Sequence, residues 1–364
     1  MIEVNLMKVT KKAEEQSGNL RCSNFELLRI LCVFGIVSMH TFGAFYNSAT
    51  GLTLVYGVFI NSLFNTCVSI FMLISGYFGI SFSLKKYLKL ELEVLFYSIL
   101  SLFIICIISN SYSLKEVAAA CVPVFSGEYW YMTTYMLLMI FSDYINKIPE
   151  KMSKKEFEKL IVLIFFVFSV IPTVVQFHVM NDGGKGLANM LLMYFLGRYI
   201  RIYKDEERKQ FKFSIISISI IMLEFILNLL LTMLRGGVGI YAPFARDCSC
   251  IIVIASVSIF MSFNQFRFYS KTVNKIAKHV VAVYLFEDAT RRIIECYFNL
   301  ALYKEEWYLF MVIAVYVFGV LCICIIVDLI RIIIMKPIET ALYKGVEKVI
   351  HQFQMKKTIF KRIV

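Results

Sequence analysis

The chain has 364 residues, of which 59% are hydrophobic and only 18% charged, and its mean hydropathy is +0.72. A water-soluble domain carries about 25% charged residues, so this composition excludes a soluble globular protein. The formal net charge of +12 would suit a nucleic-acid binder, but its placement along the chain serves another purpose.

Apolar runs cover residues 27–46, 54–80, 92–109, 129–145, 160–177, 187–203, 213–234, 246–264, 280–300 and 308–335. Most reach the ~20 residues that a helix needs to cross ~30 Å of hydrocarbon. The expected fold is all-α, a polytopic bundle of about ten transmembrane helices. The connectors alternate in basic content. Segments 1–26, 81–91, 146–159, 201–212, 265–279 and 336–364 hold 4, 3, 5, 5, 4 and 7 Lys and Arg residues. Segments 47–53, 110–127, 178–186, 235–246 and 301–307 hold 0, 1, 1, 2 and 1. Basic connectors stay in the cytoplasm, so both termini are predicted there. The positive excess is then topological, and no nucleic-acid partner is expected.

Five prolines and 17 glycines leave no room for a flexible linker. The expected division is a cytoplasmic segment over 1–26, one transmembrane domain over 27–335 and a cytoplasmic basic amphipathic tail over 336–364, with Pro337 ending the last span. Residues 1–26 are polar and lack a small-residue cleavage site, which predicts an uncleaved signal anchor in the first span. The ten cysteines include no C-x-x-C pair and read as small apolar filler.

In the first run, Arg29 and His40 stand eleven positions apart. At ~100° per residue they return to within ~20° of one direction, ~16 Å apart along the axis. Glu26 joins the same stripe three residues before Arg29. An ionisable group deep in a bilayer costs ~2.5 kcal/mol or more, so it needs a reason. Alone, Arg29 reads as a snorkelling anchor and His40 as a packing residue; sharing a face, they suggest a common site.

Further candidates follow in chain order. Asn61, Asn65 and Ser69 repeat at i, i+4 and i+8 in the second run, as interhelical glue or as an acceptor-binding face. Ser75 and Gly76 permit close helix approach. Residues 117–125 are too short to span and suit a re-entrant or interfacial piece. Trp130 and nearby tyrosines suit a sugar-stacking platform or an interfacial aromatic belt. Glu224 and Asn228 lie inside the seventh run, where the carboxylate either pairs with a base such as Arg291 or orients a catalytic group. Glu287 and Arg291 are four apart, as a structural pair or as part of a substrate site. Asp328 and Arg331 are expected to pair. The stretch Asn181-Asp182-Gly183-Gly184-Lys185-Gly186 lacks the ending of a phosphate loop, and there is no G-x-S-x-G. His178, His279 and His351 lie apart in connectors, and no metal is expected.

Glu26-x-x-Arg29-x10-His40, with Leu28 before the arginine, resembles the opening motif of the acyltransferase 3 family, integral membrane enzymes that acylate carbohydrates and related acceptors. Val68-Ser-Ile-Phe71-Met-Leu-Ile-Ser75-Gly76-Tyr77-Phe78 is similar to the family's second-span motif. Tyr129-Trp130-Tyr131-Met132, followed by Tyr135 and Phe141-Ser142-Asp143-Tyr144-Ile145-Asn146, resembles its fourth-span motif. Phe195-Leu196-Gly197-Arg198-Tyr199-Ile200-Arg201 is similar to the end of its sixth span, and Val283-Tyr284-Leu285-Phe286-Glu287-Asp288 with Arg291 to its ninth. The family commonly has Pro where Asp143 stands and His where Glu287 stands.

The resemblance implies transfer of an acyl group, most often acetyl, from cytoplasmic acyl-CoA to a hydroxyl of a cell-surface polysaccharide or a lipid-linked glycan precursor, without a metal. It implies membrane lipids as surroundings and a place in an envelope-biosynthesis complex. Under it, His40, Arg29 and Glu26 are the catalytic candidates, and Arg29 also binds the donor phosphates. His40 acts as a base or as a covalent acyl carrier. Asn61, Asn65, Ser69, Ser75, Tyr77, Trp130, Glu224, Glu287 and Arg291 are the substrate-binding candidates. The alternative is a glycan exporter or flippase, which would favour paired interrupted helices in two related halves; no convincing half-repeat is present. A non-catalytic partner in an envelope complex would not need the Arg29–His40 stripe.

Overall fold

A computed structural model describes residues 22–176, 182–203 and 210–363. Among them no strand occurs, and the chain folds into eleven main helices: α1 Ser23–Phe42, α2 Gly51–Phe64, α3 Thr66–Phe78, α4 Leu84–Ser109, α5 Trp130–Ile140, α6 Lys154–Phe165, α7 Leu187–Tyr203, α8 Gln210–Leu234, α9 Cys250–Asn264, α10 Val280–Glu295 and α11 Leu309–Ile363. Among the described residues six stretches are long and apolar enough to cross a bilayer: Ser23–Phe45, Gly51–Phe78, Leu84–Ser109, Lys154–Val175, Lys212–Leu234 and Leu309–Val346. This is a multi-pass membrane protein. The count of ten depends on the shorter helices α5, α7, α9 and α10, of 11, 17, 15 and 16 residues.

The predicted runs are modified where backbone chemistry intervenes. The second run is two helices that meet at Asn65. The fifth continues α6 through a π turn at Phe166–Val170 into Ile171–Val175, beside Pro172, whose missing N–H disturbs the regular ladder. Residues 117–125 fall within two short helices, Leu114–Cys121 and Pro123–Ser126, the second with proline at its first position.

Pro337 does not end the last helix. α11 carries it in its interior and continues to Ile363. A proline deletes one hydrogen bond and crowds one carbonyl, and side chains brace the helix on either side of it. Arg331 Nη1 lies 3.7 Å from the Glu339 carboxylate, and Lys85 Nζ sits 5.0 Å from the Tyr343 ring centroid. The amphipathic face predicted for the tail, the N-terminal residues 1–21 and His178 lie outside the described residues.

α1 is the wall shared by two apolar cores. Val33 and Val37 pack with α2, α4, α10 and α11, whereas Leu28, Cys32 and Ile36 pack with α3, α7 and α9. α3 and α7 meet backbone to backbone. A Cβ on Gly76 would overlap the Tyr194 carbonyl oxygen, and one on Gly197 would overlap the Leu73 carbonyl oxygen. Small residues allow such contact between helices in lipid.

Contacts between connectors sort them into two sets. The Ser23 hydroxyl donates to Asn274 at 2.9 Å, Ser142 accepts from the Phe82 amide at 2.9 Å and Asn146 donates to the Ile80 carbonyl at 2.8 Å; these contacts lie at the basic ends. The Gly239 amide donates to Ala49 at 2.9 Å and Thr50 donates to Glu305 at 2.7 Å, linking non-basic connectors. The proposed orientation puts the basic set in the cytoplasm. A cysteine at Ser48 is then expected to react with an impermeant maleimide on whole cells, and one at Ser153 only after permeabilisation. The reverse labelling would invert the orientation.

Candidate active site

α1 presents the predicted stripe. Glu26 Oε1 is 3.6 Å from Arg29 Nη1, and Arg29 reaches a cavity of about 350 Å³ between α1, α3, α4, α5 and α10. Arg29, Lys86 and Lys89 supply its cationic groups. Lys86 and Lys89 lie two and five residues into α4, and Arg29 six into α1. Above them the walls are apolar and aromatic, with Phe71, Tyr131, Tyr135 and Tyr284. Tyr131 and Tyr135 stack with centroids 6.3 Å apart. Ser75 also lines the cavity, its hydroxyl donating to the Phe71 carbonyl at 2.9 Å.

His40 does not itself line the cavity. It stands one turn beyond Ile36, and its partner Glu287 one turn beyond Tyr284, two residues that do. His40 Nδ1 is 2.6 Å from Glu287 Oε1, with the imidazole 46% exposed and the carboxylate 5% exposed. The second oxygen of Glu287 accepts from Arg291 Nε at 2.6 Å. Arg291 also donates to Asp288 at 2.8 Å and, at 3.5 Å, to the backbone carbonyl of His40. A carboxylate paired with a guanidinium accepts, so the His40 Nδ1–H donates this hydrogen bond to Glu287. In a neutral imidazole so held, Nε2 is the acceptor. A carboxylate holding one imidazole nitrogen so that the other can take a proton is the arrangement that activates a hydroxyl.

The remaining candidates separate. Asn61 donates to the Gly57 carbonyl of its own helix at 2.9 Å, Asn65 sits at the α2–α3 junction, and Ser69 is buried. None of the three lines the cavity. Tyr77 is buried among Phe25, Phe78 and Phe260, and Arg201 donates to its hydroxyl at 3.3 Å. Trp130 packs edge-on against Tyr131, with Lys185 Nζ 6.0 Å from its ring; it is Tyr131 that reaches the cavity. Glu224 does not pair with Arg291: it accepts from Asn228 at 3.4 Å, while Arg291 is engaged by Glu287 and Asp288.

The expected Asp328–Arg331 pair is present and belongs to a larger polar network that sequence reasoning missed. Asp328 accepts from Tyr97 at 2.8 Å, from Arg331 Nε at 2.7 Å and pairs with His279 Nδ1 at 2.6 Å. Arg331 Nη2 continues to Glu93 at 3.2 Å, and Glu93 belongs to the cavity wall. Its signal was the amphipathic start of α4, where Lys86, Lys89, Leu90 and Glu93 fall at i, i+3, i+4 and i+7.

A family model for an acyltransferase domain matches residues 23–329, most of the chain. The chain belongs to the acyltransferase 3 family. No curated protein and no solved structure matches it. In this membrane acyltransferase Arg29 and His40 stand on one helix, and the Glu287 carboxylate is held against His40.

Proposed function

We propose that the protein moves an acyl group, acetyl in the first instance, from cytoplasmic acyl-CoA to a hydroxyl of a surface polysaccharide or lipid-linked glycan precursor. Arg29, with Lys86 and Lys89, receives the donor phosphates, as guanidinium and ammonium groups do. The pantetheine arm runs between the aromatic walls toward Tyr284 and Ile36. His40 Nε2 takes the proton of the acceptor hydroxyl as its oxygen attacks the thioester carbon. The C–S bond breaks, CoA leaves as thiolate, and the proton taken by His40 is returned to solvent or to the sulfur. Glu287 stabilises the imidazolium formed in this step.

One observation carries this reading: the cavity holds Arg29 at its cationic end, and the His40–Glu287 pair stands one turn past its aromatic end. Glycan as the acceptor comes from the family resemblance. The test supplies inside-out membrane vesicles with acetyl-CoA labelled in the acetyl group. Alkali-labile label is expected in the purified glycan fraction. Unlabelled glycan, together with loss of glycan export in cells lacking the protein, would favour the exporter instead.

A further inference from the structure

Glu93 sets a question for any anionic donor, because it is a carboxylate in the wall of a cavity whose other charged lining groups are Arg29, Lys86 and Lys89. Its position on α4 is seven residues beyond Lys86 and four beyond Lys89, which is ~10 Å and ~6 Å deeper along the axis. Its side chain is 11% exposed, and Arg331 Nη2 holds its Oε1 at 3.2 Å. Arg331 is itself braced by Asp328, which also engages His279 and Tyr97. α4, α11 and the turn before α10 thus hold one carboxylate at one depth.

We infer that Glu93 is a specificity-determining residue for the donor: it keeps phosphates at the cationic end and accepts an amide N–H of the uncharged arm. The inference rests on the acyl-CoA reading above. The depth fits the chemistry. A phosphate drawn past Lys89 meets a like charge in a low-dielectric wall, which disfavours it. The pantetheine arm carries two amides, and an amide buried without a partner is costly. The walls around Glu93 are largely apolar and aromatic, so an acceptor placed where the arm passes satisfies one N–H. Specificity comes from the pairing of repulsion with attraction: the same carboxylate rejects the headgroup and holds the arm.

The test measures binding of CoA and of 3′,5′-ADP, which has two of CoA's three phosphates and no arm, to purified full-length protein in nanodiscs. Glu93→Gln is expected to weaken CoA about tenfold and to leave 3′,5′-ADP unchanged or tighter. Glu93→Asp, which keeps the charge, is expected to retain more CoA affinity than Glu93→Gln. Equal losses for both ligands would make Glu93 a structural brace and overturn the inference, as would unchanged CoA binding in Glu93→Gln. The donor reading fails separately, if wild-type protein binds neither ligand or if Arg29→Ala binds both as wild type does.

Discussion

His40→Ala lowers the rate of acyl transfer by about 10²- to 10⁴-fold, with the KM for acyl-CoA little changed. The size follows from the geometry. The Glu287 carboxylate, 2.6 Å from Nδ1, orients the imidazole, so removing His40 removes the base proposed to take the acceptor proton. Glu287→Gln keeps the shape but loses the charge that favours imidazolium, and a fall of about tenfold or more is expected. Initial rates in proteoliposomes with matched protein levels decide this. A His40→Ala enzyme retaining half the wild-type rate would remove His40 from the chemistry. Acetyl label fixed on wild-type protein without acceptor, and absent in His40→Ala, would identify a covalent carrier instead.

Arg29→Ala acts on the other end of the reaction. It is expected to raise the KM for acyl-CoA about 10- to 100-fold and to change kcat far less. Arg29 lines the cavity beside Lys86 and Lys89, and its guanidinium is 32% exposed, with Glu26 on one side. Arg29→Lys restores only part of the loss, since a single ammonium cannot reproduce bidentate binding of phosphate. Saturation curves with acetyl-CoA separate the two constants. A fall in kcat at constant KM would instead assign Arg29 to the transferring carbonyl.

The helical layout and the Arg29–His40 stripe were legible because both are local. Hydropathy reports each helix, and a rotation of 100° per residue puts two residues of one helix on one face. What surrounds the stripe depends on contacts hundreds of residues apart. Glu287 lies 247 residues from His40, and its spacing from Arg291 suggested a structural pair or a substrate contact but not the partner of His40. Asn61, Asn65 and Ser69 repeat at helical spacing, yet none reaches the cavity and Asn61 spends its amide on its own helix. Lys86 and Lys89 looked like ordinary cytoplasmic-end lysines, which hid their part in the cavity. Pro337 was read by its usual effect, whereas the helix continues through it, with Arg331 and Glu339 paired across it.

Because Gly76 and Gly197 let two main chains touch, α3 and α7 have no compressible layer between them and must shift together as a single slab. Ser75 and Phe71 ride on that slab, so one side of the cavity has fixed coordinates. By contrast, Glu93–Arg331 ties α4 to α11 and His40–Glu287 ties α10 to α1, side-chain contacts that exchange partners more readily than backbones slide. Any adjustment of the passage to a longer acyl chain therefore falls to α4 and α10, and donors of graded length should shift probes there while leaving the glycine-seamed pair still.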